Sequence, residues 1–227
     1  MTKVKVCGLT NLADARFAAE AGADFLGFIF YKPSPRYVAP ETVKEIISAL
    51  TRLETINPKP VYVGVFVNED EDSVSEILNF CRLDAIQLHG DESPEFVGRF
   101  EGRAYKALRP QSKEEVEMLV ESYASVNEQN TGQSSNLPTF LLDAYHPDLY
   151  GGTGHVTDWR MAAATARQHR IMLAGSLTPA NVAQAIREVR PWGVDVSSGV
   201  ELEKGRKDYE KVQAFIKAAK KDTSKLL

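Results

Sequence analysis

Eight short apolar runs, each followed by a stretch of helical periodicity, divide nearly the whole chain into strand–helix units. The runs lie at residues 4–7, 24–30, 61–67, 85–88, 105–108, 139–142, 171–173 and 193–196. That at 61–67 is almost wholly apolar, as expected of a strand buried on both faces. Residues 11–21, 40–50, 73–80, 95–100, 113–126, 159–168, 179–189 and 209–220 read as the helices. In the second of these, Val43, Ile46, Ile47 and Leu50 share one face. Gly22 stops the first helix, Pro40 opens the second, and Thr178-Pro179 gives the seventh a cap and a first-turn proline. Strict alternation of this kind implies a parallel sheet. Eight units in 227 residues fit an α/β fold, a closed parallel (β/α)8 barrel spanning 1–227 as one domain. An open doubly wound sheet has the same periodicity and remains the alternative.

Composition narrows the class of function. Hydrophobic residues make up 43% and charged residues 26%, which argues against disorder, collagen-like repeats and a coiled coil. A net charge of −4 makes a nucleic-acid partner unexpected, while an anionic small substrate stays compatible because a local site can oppose the net charge. Cys7 and Cys81 form neither a disulfide framework nor a C-x-x-C pattern and suit a reducing compartment. The chain enters its first strand without an apolar signal region, and its apolar runs are too short to span a bilayer. The expectation is a cytoplasmic enzyme with no membrane partner, monomeric or homodimeric. The polar residues 127–136 read as an exposed insertion loop and 220–227 as a frayed tail.

Polar and small residues gather where the strands end, on the rim that carries chemistry in barrels. The opposite loops, such as 54–59, read as plain polar connectors. Gly175-Ser176 follows strand seven, and Ser197-Ser198-Gly199 follows strand eight. Glycine lets backbone approach an anion closely, and N–H groups at such turns bind phosphate without a cationic side chain. Cys7 ends strand one and Asp143 ends strand six. In a closed barrel the order six, seven, eight, one places both beside that phosphate site, which suits a phosphosugar held between two proton-transfer groups. Arg36, in Pro33-Ser34-Pro35-Arg36-Tyr37, sits on a stiff loop and can meet a carboxylate with both arms. His89 is a further candidate contact, Asp195 is expected to orient the phosphate loops, and Tyr31 and Phe28 are candidates for stacking on an aromatic ligand. His146 and His155 form no metal-binding pattern, and no G-x-G-x-x-G follows a strand. Neither a metal nor a dinucleotide is indicated.

Several segments, taken together and in order, resemble the phosphoribosylanthranilate isomerases. They are Lys5-Val6-Cys7-Gly8-Leu9-Thr10, Gly27-Phe28-Ile29-Phe30, Ser34-Pro35-Arg36-Tyr37-Val38, Val63-Gly64-Val65-Phe66-Val67-Asn68, Gln87-Leu88-His89-Gly90-Asp91-Glu92, Gly151-Gly152-Thr153-Gly154 and Gly193-Val194-Asp195-Val196-Ser197-Ser198-Gly199-Val200-Glu201. The resemblance implies a TIM-barrel enzyme of tryptophan biosynthesis that works without metal or organic cofactor. Its reaction is the Amadori rearrangement of N-(5-phosphoribosyl)anthranilate to 1-(2-carboxyphenylamino)-1-deoxyribulose 5-phosphate. It implies Cys7 as general base, Asp143 as general acid, Arg36 against the anthranilate carboxylate, and Gly175, Ser176, Ser197, Ser198 and Gly199 around the phosphate. One departure stands out: the seventh loop of the family reads Ala-Gly-Gly, and here it is Ala174-Gly175-Ser176. Serine fits that place only with an ordinary φ or a shifted loop. Rival readings are a phosphosugar epimerase, which needs His/Asp metal sets not found here, a histidine-pathway isomerase, which would show an internal repeat, and a non-catalytic phospholigand-binding barrel.

Overall fold

The computed structural model describes residues 1–130, 136–143 and 159–221. Strands β1 (Lys3–Val6), β2 (Phe25–Ile29), β3 (Val61–Phe66), β4 (Ala85–Leu88), β5 (Ala104–Leu108), β6 (Phe140–Leu142), β7 (Ile171–Leu173) and β8 (Gly193–Val196) pair in sequence order. β8 pairs with β1 in parallel, with Lys5 opposite Asp195, so the sheet closes. Closure decides for the barrel over the open sheet. Helices α1 (Leu12–Glu20), α2 (Pro40–Thr51), α3 (Glu71–Cys81), α4 (Pro94–Gly98), α5 (Lys113–Asn130), α6 (Trp159–Ala166), α7 (Val182–Val189) and α8 (Tyr209–Lys220) return the chain between strands and end it.

The period of two along each strand sorts side chains into two cores. Val4, Val6, Leu26, Phe28, Phe66, Ile86 and Leu88 point outward and pack under the helices. Phe25, Val63, Ala85, Tyr105, Leu141 and Met172 point inward and fill the barrel. Burying one such large apolar side chain contributes about 1.5–3 kcal/mol. Helix entries are set by short polar side chains: Asn11 accepts from Asp14 N, Asp70 from Ser73 N and Asp208 from Lys211 N. Each such cap is worth about 1 kcal/mol.

Most element ends differ from the sequence reading by one or two residues, and three differences are larger. Helix α5 continues to Asn130, so the first part of the expected loop at 127–136 is helical backbone, and its residues 131–135 lie outside the described residues. Residues 179–181 form a turn, with Val182 N donating to Thr178 O, before α7 begins. After β8 comes a 3-10 turn (Ser198–Val200) and a small hairpin of β9 (Glu201–Glu203) and β10 (Arg206–Lys207). Strands of two and three residues carry no readable periodicity, which is why the sequence does not announce them. Of the expected frayed tail, residues 222–227 lie outside the described residues. Among the described residues, no helix is long and apolar enough to cross a membrane.

Candidate active site

β1 turns Lys5 and Cys7 into the barrel. Lys5 is 0% exposed, so its ammonium must find partners inside. It donates to Gln87 Oε1 at 2.8 Å and pairs with Asp195 Oδ2 at 3.1 Å. Tyr105 adds its hydroxyl to the same Gln87 oxygen at 3.0 Å. This polar layer lies above the apolar floor of Phe25, Val63 and Met172. Burial works against the charge on Lys5, but the Asp195 carboxylate and the Cys7 sulfur outweigh it and hold the ammonium charged. Asp195 is expected from the sequence to orient the loop beyond it; among the described residues its hydrogen-bond partner is Lys5.

Cys7 is held by its N–H to Val196 O at 2.8 Å and is followed by Gly8 at φ 72°. Burial pushes its thiol up, the Lys5 cation and its hydrogen bond pull it down, Asp195 pushes it up, and Lys207 pulls it down. The balance lies above the ordinary thiol value, so thiolate grows in as the pH rises.

The loop after β2 folds back on its own strand, with Val38 N on Ile29 O at 3.0 Å. Within it Arg36 N donates to Ser34 Oγ. The aliphatic stem of Arg36 lies across Gly8, where a Cβ would come within 2.7 Å of its Cδ. Its fork is already spent: Nε and Nη2 meet Glu201 Oε1 and Oε2 at 2.7 and 2.8 Å. The carboxylate that Arg36 grips through Nε and Nη2 is therefore the chain's own, and the Nη1–Nη2 edge of the guanidinium is the one Glu201 does not use. Glu201 also receives Lys207 Nζ at 3.1 Å. Burial raises the Glu201 carboxyl, but Arg36 and Lys207 outweigh it and hold it below its usual range.

His89 and Asp143 meet on the same rim. His89 Nε2 lies 3.3 Å from Asp143 Oδ2, within ion-pair range but off hydrogen-bond geometry, and Nδ1 lies 2.8 Å from Gln87 Nε2. The second half of the Q-L-H-G-D-E motif is architecture: Glu92 accepts from Asn68 N and Gly90 N and pairs with buried Lys106.

Gly175 and Ser176 follow β7 with φ 90° and 51°. Of the two conditions set for serine at this place, the ordinary φ is not met: Ser176 occupies the left-handed conformation that glycine favours, with Asn181 Nδ2 donating to its carbonyl oxygen at 3.0 Å. A Cβ at Gly199 would fall 1.9 Å from Leu177 O. Gly199 is therefore needed to seat the loop after β8 on the loop after β7. Ser197 Oγ and Asp195 Oδ1 are buried with no hydrogen-bond partner among the described residues.

These groups line one cavity of about 390 Å³, which Cys7, Arg36, His89, Asp143, Ser176 and Ser198 all border. Tyr31 borders it too, whereas Phe28 is fully buried in the outer core and cannot reach a ligand there. A cleft of about 680 Å³ at the other end of the barrel is lined by cations, but Lys59 and Arg103 there already donate to the carbonyls of Leu50 and Leu83. His146, His155 and the 151–154 glycine motif lie outside the described residues. Among the described residues no cluster of His, Cys, Asp or Glu could hold a metal ion. Sequence reasoning missed Lys5, Gln87, Tyr105, Glu201 and Lys207 as parts of the site. A lysine and a glutamine inside otherwise apolar strands were a usable signal; Lys207 offered none.

Residues 4–218 match the family model for N-(5'-phosphoribosyl)anthranilate isomerase. An enzyme of that name from Citrifermentans bemidjiense is 48% identical over 221 residues, 97% of this chain and 98% of the relative. The crystal structure of phosphoribosyl anthranilate isomerase from Thermotoga maritima is 37% identical, with a TM-score of 0.81 over 97% of this chain and 99% of that one. A structure of such an isomerase in complex with reduced 1-(o-carboxyphenylamino)-1-deoxyribulose 5-phosphate is 36% identical, with a TM-score of 0.77 and the same two coverages of 97% and 99%.

Proposed function

Because the chain belongs to the N-(5'-phosphoribosyl)anthranilate isomerase family of tryptophan biosynthesis, we propose that its barrel rim performs the Amadori rearrangement with Cys7 as base and Asp143 as acid. The observation that carries this reading is that Cys7, Asp143 and Arg36 open into one cavity with the two glycine–serine loops.

Asp143, protonated, gives its proton to the furanose ring oxygen. The C1′–O bond breaks as the anthranilate nitrogen lone pair moves in, leaving a protonated Schiff base. The Cys7 thiolate removes the proton from C2′, and that electron pair forms the C1′–C2′ double bond of an enolamine. The enolamine tautomerises to the ketone. Acid and base must hold opposite protonation states at one pH, so their surroundings must differ. They do: Cys7 faces the Lys5 ammonium, whereas Asp143 faces the His89 imidazole.

The remaining groups hold the substrate. Arg36 presents its Nη1–Nη2 edge to the anthranilate carboxylate while Glu201 holds the Nε–Nη2 edge. Backbone N–H groups of Gly175, Ser176, Ser198 and Gly199 face the phosphate, and Ser197 Oγ supplies a buried hydroxyl without a partner of its own. His89 and Asp195 line the sugar between these ends. A crystal soaked in inorganic phosphate tests the arrangement. An anion between the ends of β7 and β8, competitive with substrate in solution, supports it. Phosphate bound only elsewhere overturns it.

A further inference from the structure

We propose that Gln87 is a positioning residue that fixes the protonation state of His89, keeping its imidazole neutral with the one ring proton on Nε2, toward Asp143. The tautomer follows from geometry alone; its use in catalysis rests on the reading of Asp143 as the acid.

Lys5 sets the orientation of Gln87. An ammonium donates three hydrogen bonds and accepts none. The Gln87 atom 2.8 Å from Lys5 Nζ is therefore the carbonyl oxygen, and the Tyr105 hydroxyl at 3.0 Å adds a second donor to it. Chemistry thus fixes which way the Gln87 amide points. Its NH2 group is left facing His89 Nδ1 at 2.8 Å. A donor at that distance requires a lone pair on Nδ1. A neutral imidazole then carries its proton on Nε2, the atom 3.3 Å from Asp143 Oδ2. A second proton on the ring would set N–H against N–H, in a place where Gln87 is 1% and His89 7% exposed and water cannot relieve the conflict.

The chain Asp195–Lys5–Gln87–His89–Asp143 runs across the barrel from β8 through β1 and β4 to the end of β6. Among the described residues, the other charged or titratable groups facing it are Cys7 beside Lys5, Tyr105 from β5, and, on the far side of Cys7, Lys207 and Arg36. The consequence for an acid is direct. An imidazolium against Asp143 would favour the ionised carboxylate and leave no proton there for the ring oxygen. A neutral imidazole leaves the proton on the carboxyl and turns an N–H toward the carboxylate once that proton has gone. The same ammonium that faces Cys7 thus orders the group that faces Asp143.

Long-range ¹⁵N–¹H spectra of histidine-labelled wild-type enzyme test the tautomer, with His89 identified by the signal lost in His89→Asn. The expected result is an unprotonated Nδ1 and a protonated Nε2 in the wild-type enzyme at neutral pH. An imidazolium, or a proton on Nδ1, overturns the proposal, and this reading needs no Gln87 variant to fold. In Gln87→Glu the amide donor becomes a carboxylate acceptor, so His89 should appear as imidazolium near neutral pH. Its kcat should fall roughly tenfold or more with KM little changed, and the limb of the pH profile that needs protonated Asp143 should move to lower pH. An imidazolium in this variant with an unmoved pH profile overturns the catalytic part. Asp143→Asn separates the two readings: if it retains turnover, Asp143 is not the acid, while the wild-type spectrum still decides the tautomer.

Discussion

Gly27 of β2 is the space in which the Cys7 sulfur sits: a Cβ at residue 27 would lie 2.7 Å from Cys7 Sγ and 3.1 Å from Lys5 Cε. The strand backbone there suits any residue, so Gly27→Ala acts by crowding the thiol first, and with it the Cys7 backbone and the Lys5 stem at 3.1 Å. A misplacement near 1 Å can cost up to about 100-fold in rate. The expected outcome is a kcat lowered by more than about tenfold, with the melting temperature within a few degrees of wild type. Steady-state kinetics beside a thermal melt check both; an unchanged kcat would mean the sulfur's position is unimportant.

Glu201 braces Arg36 through two hydrogen bonds of 2.7 and 2.8 Å. Glu201→Gln keeps the shape but loses the charge, so Arg36 is held less firmly and KM should rise several-fold with kcat less affected. Stability carries a second signature. Although burial raises the Glu201 carboxyl, Arg36 and Lys207 bring it below its usual value in the folded chain. Its ionised form therefore adds stability above the unfolded value of about 4.3, and that stability is lost as the pH falls through the folded value. Melts of both proteins should differ most near neutrality and converge in acid. A difference independent of pH would deny the charge its role.

Ser176 at φ 51° occupies a conformation that costs a non-glycine residue about 1–2 kcal/mol. Ser176→Gly should raise the melting temperature by about 2–4 °C, while phosphate competes with substrate at least as well as in wild type. Calorimetry showing no gain would mean that the left-handed backbone carries no net cost for serine here, since the Asn181 contact to the backbone oxygen of residue 176 is common to both chains.

Gly199→Val would drive a side chain into Leu177 O, 1.9 Å from the position of its Cβ. The two loops then separate, so inorganic phosphate should inhibit at least several-fold more weakly and the melt should come earlier. Inhibition equal to wild type would show that the loops bind the anion without touching each other.

The barrel was legible because its signal repeats: the run at 61–67 and the Val43, Ile46, Ile47, Leu50 face state their elements locally. The ends of strands were legible too, so Cys7, Asp143, Arg36 and the two glycine–serine loops could be named. What links them could not. Lys5 meets Gln87 and Asp195 only because closure brings β1, β4 and β8 around one axis, at separations of 82 and 190 residues. Glu201 reaches Arg36 across 165 residues, from a hairpin too short to show a period. The left-handed φ of Ser176 is a property of the packed loop, and serine gives no notice of it.

The central claim is that Cys7 is the base, and turnover of Cys7→Ser on freshly formed N-(5-phosphoribosyl)anthranilate tests it most directly. A hydroxyl of similar size leaves the fold and the Lys5 contact in place but is a far weaker base. The account predicts a loss of kcat on the order of 10²–10⁴-fold with an unchanged melt. A serine variant that keeps more than about a tenth of wild-type turnover would contradict it.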